Sequence, residues 1–97
     1  MTATYHDPRR AVWMHGATAR RMPSSRNGNP AYQLVGEVED PELDGFRWLG
    51  LFTSPDTMAA YNVGNVFGGA LDRPRNVRLL LNARDMVVGI ELAGEQP

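Results

Sequence analysis

The chain has no cysteine, no lysine, only two histidines, and no apolar run of membrane-spanning length. Without cysteine there are no disulfides and no thiolate-based metal or redox sites. His6 and His15 lie near the start of the chain, with no second cluster of ligands to complete a zinc site. No stretch approaches the roughly 18 apolar residues of a spanning helix. Met1-Thr2-Ala3-Thr4-Tyr5-His6-Asp7 carries neither the basic nor the apolar segment of a signal peptide. These absences predict a soluble, cytoplasmic protein with no metal, no organic cofactor and no membrane partner. All ten basic residues are arginine, a bias that GC-rich coding produces, although the guanidinium fork also suits phosphate and carboxylate recognition. The net charge of −1 argues against a generic polyanion binder.

Ninety-seven residues suit one domain with a single modest core. Met1 to Arg10 is polar, aperiodic and broken by Pro8, and reads as a flexible arm. Ala11 to Met22 carries Val12, Trp13 and Met14 without proline, and reads as a long bent strand with Gly16 at a bulge. Pro23 to Pro30 is the clearest turn, in which Asn27-Gly28 suits the positive φ of a type I′ hairpin. Ala31 to Glu39 alternates Tyr32, Leu34, Gly36 and Val38 with Gln33, Val35, Glu37 and Glu39, as a half-buried strand does. An acidic loop, Asp40 to Gly45, leads to Phe46–Thr53, the most hydrophobic strand. There Phe46, Trp48, Gly50 and Phe52 point one way, and Arg47, Leu49 and Leu51 the other. Apolar residues on both sides predict a strand covered on both faces or meeting a partner, and burial beneath the helix is the preferred reading.

That helix is expected at about 54–67. Thr53 or Ser54 can cap it, Pro55 suits its first position, and Asp56 complements its dipole. Ala59, Val63, Val66 and Phe67 form the apolar stripe, and Gly68-Gly69 the stop. Gly64 reads as a point of close packing on a strand. Asn76–Asn82 and Met86–Leu92 then form a hairpin around Asn82-Ala83-Arg84-Asp85. The expected fold is mainly β (α+β): a small five-stranded, OB-like barrel of order β-β-β-α-β-β over residues 11–92, preceded by the arm 1–10 and followed by a tail 93–97. Its expected core is Val12, Met14, Tyr32, Leu34, Trp48, Phe52, Val63, Phe67, Leu79, Leu81, Val88 and Ile90.

Enzymatic chemistry fails on inventory. Neither histidine sits in a nucleophile motif, paired carboxylates occur only among turn residues, and the glycines trail a helix where a phosphate loop would precede one. Binding is the function class that remains. The charge is uneven. Residues 1–26 carry Arg9, Arg10, Arg20, Arg21 and Arg26 against Asp7, whereas 27–56 carry Glu37, Glu39, Asp40, Glu42, Asp44 and Asp56 against Arg47. One basic and one acidic region give a small domain orientation toward a charged partner. Trp13, Arg20, Arg21, Arg26 and Arg47 are the expected partner contacts, toward a protein first and a single-stranded nucleic acid second. The acidic run between strands two and three would repel a phosphate backbone.

Three stretches, Ser25-Arg26-Asn27-Gly28-Asn29-Pro30-Ala31-Tyr32, Thr53-Ser54-Pro55-Asp56-Thr57-Met58-Ala59-Ala60-Tyr61-Asn62-Val63-Gly64-Asn65, and the closing hairpin from Leu79-Leu80-Leu81-Asn82 to Val87-Val88-Gly89-Ile90, resemble small accessory proteins of actinobacteriophages, including mycobacteriophages. The likeness spans residues 18 to 92 and rests on turn and cap residues. Ala31 stands where many such relatives have a basic residue, and the acidic loop is an elaboration. The resemblance implies a non-structural phage gene product that works in the host cytoplasm by binding a host or phage protein. It brings no catalytic residue with it.

Overall fold

Strand β1 (Arg10–Arg21) is the centre of the molecule. It pairs antiparallel with β2 (Tyr32–Glu39) on one side and with β4 (Arg75–Leu81) on the other. Strand β3 (Phe46–Phe52) continues the sheet beyond β2, and β5 (Val87–Leu92) continues it beyond β4, giving the order β3-β2-β1-β4-β5. A single helix, α1 (Ala59–Phe67), joins β3 to β4 and packs on β5. The computed structural model describes residues 7–23, 28, 30–40, 42 and 45–93; most of the expected arm (1–6), Arg26 and Asn27 of the turn, and the tail from 94 lie outside them. None of the described helical segments is long and apolar enough to cross a membrane.

The expected mainly β architecture with one helix is present, but the barrel is not. The five strands form one open sheet. Its edges touch at one point among the described residues, an isolated parallel bridge between Thr53 and Val87 in which the Ser54 N–H donates to the Val87 carbonyl at 2.9 Å. No further pairing joins β3 to β5 among the described residues, which leaves β3 with a free edge over its own length there.

Strand β1 bends where Gly16 places one extra residue against both neighbours. The β2 register slips between His15↔Glu37 and Thr18↔Val35, and the β4 register slips between Met14↔Val77 and Ala17↔Arg75. Gly16 takes φ +62°, a left-handed conformation that costs glycine little. The Asn76 side-chain oxygen accepts its N–H at 3.0 Å and pins the bulge from β4. Across β2, Gly36 fills the matching position. A Cβ there would lie 2.6 Å from Met14 Cγ and 2.9 Å from the His15 carbonyl oxygen.

One face of the sheet makes the core. Val12, Met14, Ala17 and Ala19 of β1 meet Leu34 and Val38 of β2, Val77, Leu79 and Leu81 of β4, and Val87 of β5, under Ala59, Val63 and Phe67 of α1. Tyr32, Leu51, Val66, Leu71 and Ile90 pack at its margin. The expected Val88 is displaced. A bulge between Leu80↔Gly89 and Leu81↔Val87 shifts the parity of β5, so Val87 is fully buried and Val88 only half-buried. The β4–β5 turn is held by Asn82, which is 1% exposed and whose side-chain oxygen accepts the N–H groups of Arg84 (2.9 Å) and Met86 (3.0 Å).

The helix starts five residues later than expected. Ser54 is bound to the sheet edge, so its backbone cannot yet turn helical. A turn intervenes: the Ser54 hydroxyl accepts the Asp56 N–H at 3.3 Å, and the Thr57 hydroxyl donates to the Ser54 carbonyl and accepts the Ala59 N–H, each at 3.2 Å. The stop is as expected. Gly68 adopts φ +61°, and its N–H and that of Gly69 both reach the Gly64 carbonyl. Gly64, expected against a strand, instead faces open space, with no atom within 4 Å of where a methyl group would sit.

Candidate binding surface

The register of β2 and β3 decides what β3 shows to solvent. Leu34, Gly36 and Val38 belong to the core face and pair with Leu51, Leu49 and Arg47. Phe46, Trp48, Gly50 and Phe52 therefore pair with Glu39, Glu37, Val35 and Gln33 on the opposite, outer face. Trp48 and Phe52, expected in the core, are 69% and 45% exposed, and Phe46 is 55% exposed. On the core side Leu49 is still 38% exposed, because α1 lies over β5 and not over β3. The strand is fully covered on neither face, against the expectation of burial beneath the helix.

The outer face is continuous across five strands. From β5 inward, Glu91 pairs with Arg78 at 3.1 Å, and the Arg78 guanidinium lies 5.9 Å from the Trp13 ring centroid. His15 Nε2 is 3.1 Å from Glu39 Oε1, and its ring is 5.9 Å from that of Phe46, tilted by 57°. The face thus carries Trp13, His15, Phe46, Trp48 and Phe52, with Glu37 and Glu39 exposed between the β1 and β3 rings. It is aromatic and locally acidic.

The edge chemistry is equally defined. The Thr53 N–H donates to the Tyr32 carbonyl at 3.0 Å, making Tyr32 and Thr53 a hydrogen-bonded pair of the β2–β3 ladder. Alternation along an antiparallel ladder then directs the N–H and C=O groups of Phe46, Trp48, Gly50 and Phe52 away from β2, toward the free edge. The residues that present the aromatic side chains also present the backbone groups that have no strand partner among the described residues.

Two further hollows are present, the first of them on the core side. A cleft of about 200 Å³ opens between β3 and the β4–β5 turn, walled by Val12, Val38, Leu49, Leu51 and Leu81. Arg10 closes it, bridging the buried Asp40 and, at 2.9 Å, Asp85. A second depression, of about 380 Å³, is lined by Arg73, Arg75 and Asn76 beside the Gly16 bulge. Among the described residues no three His, Asp or Glu side chains gather as metal ligands.

The residues singled out from sequence are divided by this geometry. Trp13 is half-buried on the outer face, stacked under Arg78. Arg20 is exposed on the same face, opposite Gln33, whereas Arg21, opposite Tyr32, and Arg47, in the cleft, belong to the core side. Arg26 lies outside the described residues. Among the described residues the structure does not bring the arginines together, and the rings it exposes, Phe46, Trp48 and Phe52, are the ones that alternation assigns to the inward side of their strand. Comparison with known proteins matches the chain to no family model, no curated protein and no solved structure.

Proposed function

We propose that this protein is a non-enzymatic binding module that docks another protein on the outer face and free edge of β3. The observation that carries the reading is the exposure of strand β3, in which only Leu51 is half-buried: three aromatic rings stand in solvent on a sheet edge whose outward backbone groups have no strand partner among the described residues. Natural edge strands are kept short, charged or interrupted by proline to prevent unwanted pairing. Strand β3 has one charge, Arg47, and no proline. Trp48 alone would remove roughly 170 Å² from water on docking, a gross gain of about 4 kcal/mol before the costs of association. The resemblance to phage accessory proteins supports a host or phage protein as that partner, met in the host cytoplasm.

A nucleic-acid reading has one observation in its favour. The strand order, with β3 and β5 touching in parallel, is OB-like, and OB-folds bind single strands on this face by stacking bases on aromatic rings. Glu37 and Glu39 stand among those rings, however, and the arginines are split between two faces. A phosphate backbone laid across the rings would meet carboxylates, so protein is the favoured partner. The test is a pull-down from mycobacterial lysate with wild type and Trp48→Glu, beside polarisation titrations with single- and double-stranded DNA at two salt concentrations. The expected outcome is a protein held by wild type and lost from the variant, with no micromolar DNA binding. Salt-sensitive DNA binding abolished by Trp48→Glu would replace this reading with the nucleic-acid one.

A further inference from the structure

We infer that the β3 edge takes a second copy of this chain, through antiparallel β3–β3 pairing about a twofold axis at Leu49. The inference rests on the protein-docking reading of this face and goes beyond it: in the protein by itself a second copy occupies the edge at which the host or phage protein docks. A twofold interface must be self-complementary, with residue i meeting j and j meeting i. The strand Phe46-Arg47-Trp48-Leu49-Gly50-Leu51-Phe52 has that property when it is laid against itself. Phe46 then faces Phe52 of the second copy, Trp48 faces Gly50, and Leu49 faces Leu49. The one large ring at the centre of each strand meets the one residue without a side chain.

The backbone agrees with this register. Phe46, Trp48, Gly50 and Phe52 are the residues whose N–H and C=O groups point to the free edge, and the pairing sets each of them opposite another of the four. Sliding the second strand two residues toward the C-terminal end of β3 would run it into Val87, which already accepts the Ser54 N–H. Sliding it the other way loses a pair at each end. The nearest atoms to a Cβ built on Gly50 belong to the Gln33 side chain, with Nε2 at 2.5 Å, Cδ at 3.2 Å and Cγ at 3.5 Å. That carboxamide can swing aside and offers an acceptor to the incoming indole N–H.

The area suffices for a weak dimer. At their observed exposures, Phe46, Trp48, Leu49 and Phe52 offer on the order of 400 Å² per copy. Two copies bring at most about 800 Å² from these side chains, because edge pairing leaves their outward surfaces in solvent; Arg47, Leu51 and the backbone edge add to this, against the roughly 1,000 Å² at which specific interfaces begin. An interface this small corresponds to a weak, reversible dimer.

The absence of native cysteine makes the test clean. Paired across the axis as a non-hydrogen-bonded pair, Leu49→Cys would place its two Cα atoms about 4.5 Å apart, within disulfide reach. Sedimentation equilibrium from 5 to 500 μM is run on wild type, Trp48→Glu and Gly50→Val, with circular dichroism to confirm folding; Leu49→Cys and the exposed control Met58→Cys are oxidised mildly at 100 μM. The expected result is a wild-type mass rising from 10.7 kDa toward twice that, loss of the rise in both edge variants, and a disulfide dimer from Leu49→Cys only. A wild type monomeric throughout, edge variants that still associate, or equal cross-linking of the two cysteine variants would overturn the inference. A monomeric wild type that still captures a lysate protein through Trp48 would overturn it while leaving the docking reading intact, whereas Trp48-dependent DNA binding would remove both.

Discussion

At the residue scale, two buried or half-buried glycines have opposite meanings that their sequence contexts do not distinguish. Gly36 faces the β1 bulge with no space for a methyl group, its nearest obstacles including the His15 carbonyl and, at 3.1 Å, the Ala17 Cα. Backbone cannot step aside as a side-chain tip can, so Gly36→Ala should lower the unfolding free energy by about 1–3 kcal/mol in urea titration. Gly64 has open space at the same position and helical φ and ψ. Its substitution by alanine should raise stability by about 0.5–1 kcal/mol in the same assay, because alanine favours the helix and restricts the unfolded chain. The expectation of close packing at Gly64 follows from its place beside an amphipathic stripe. The stripe is real, but α1 meets the sheet through Ala59, Ala60, Val63 and Phe67, and Gly64 points past it.

At the element scale, periodicity locates all five strands and the helix but cannot decide which side of a strand faces in. For β1, β2 and β4 the polar residues answer the question, since one side of each is clearly the more apolar. Strand β3 is apolar on both sides, and its sequence alone favours the aromatic side for the core. The register imposed by β2 reverses that choice, because Leu34 and Val38 can stay buried only opposite Leu51 and Arg47. The exposed surface is therefore legible in the sequence as an anomaly, a strand too hydrophobic for an edge, and not as a site. The β5 bulge is illegible for a related reason. Met86, Val88, Ile90 and Leu92 alternate without interruption, and only pairing with Leu81 shows that Val87 takes the inner place. Helix α1 begins later than its cap residues suggest because the Ser54 N–H, free in an isolated helix cap, is engaged by another strand.

At the scale of the whole molecule, the two halves of the open sheet, β1–β2–β3 and β4–β5, meet through two unequal connections. One is the full β1–β4 ladder; the other is the contact of Thr53 and Ser54 with Val87. The chain from Pro55 to Met86, including α1, runs between the two sides of that small contact, so its loss would release no strand from its ladder. The seam can part while the sheet stays whole. Native-state hydrogen exchange would read this directly. The Ser54 amide, whose acceptor is the Val87 carbonyl, should exchange at least about tenfold faster than central amides of β1 and β4, which wait for global unfolding. Equal protection would mean that the seam and the ladder open together. If the seam opens first, the domain has two neighbouring shapes, a curled sheet and a flatter one. Curvature then becomes a variable that a partner on β3 senses, since the strand it grips is the one the seam releases.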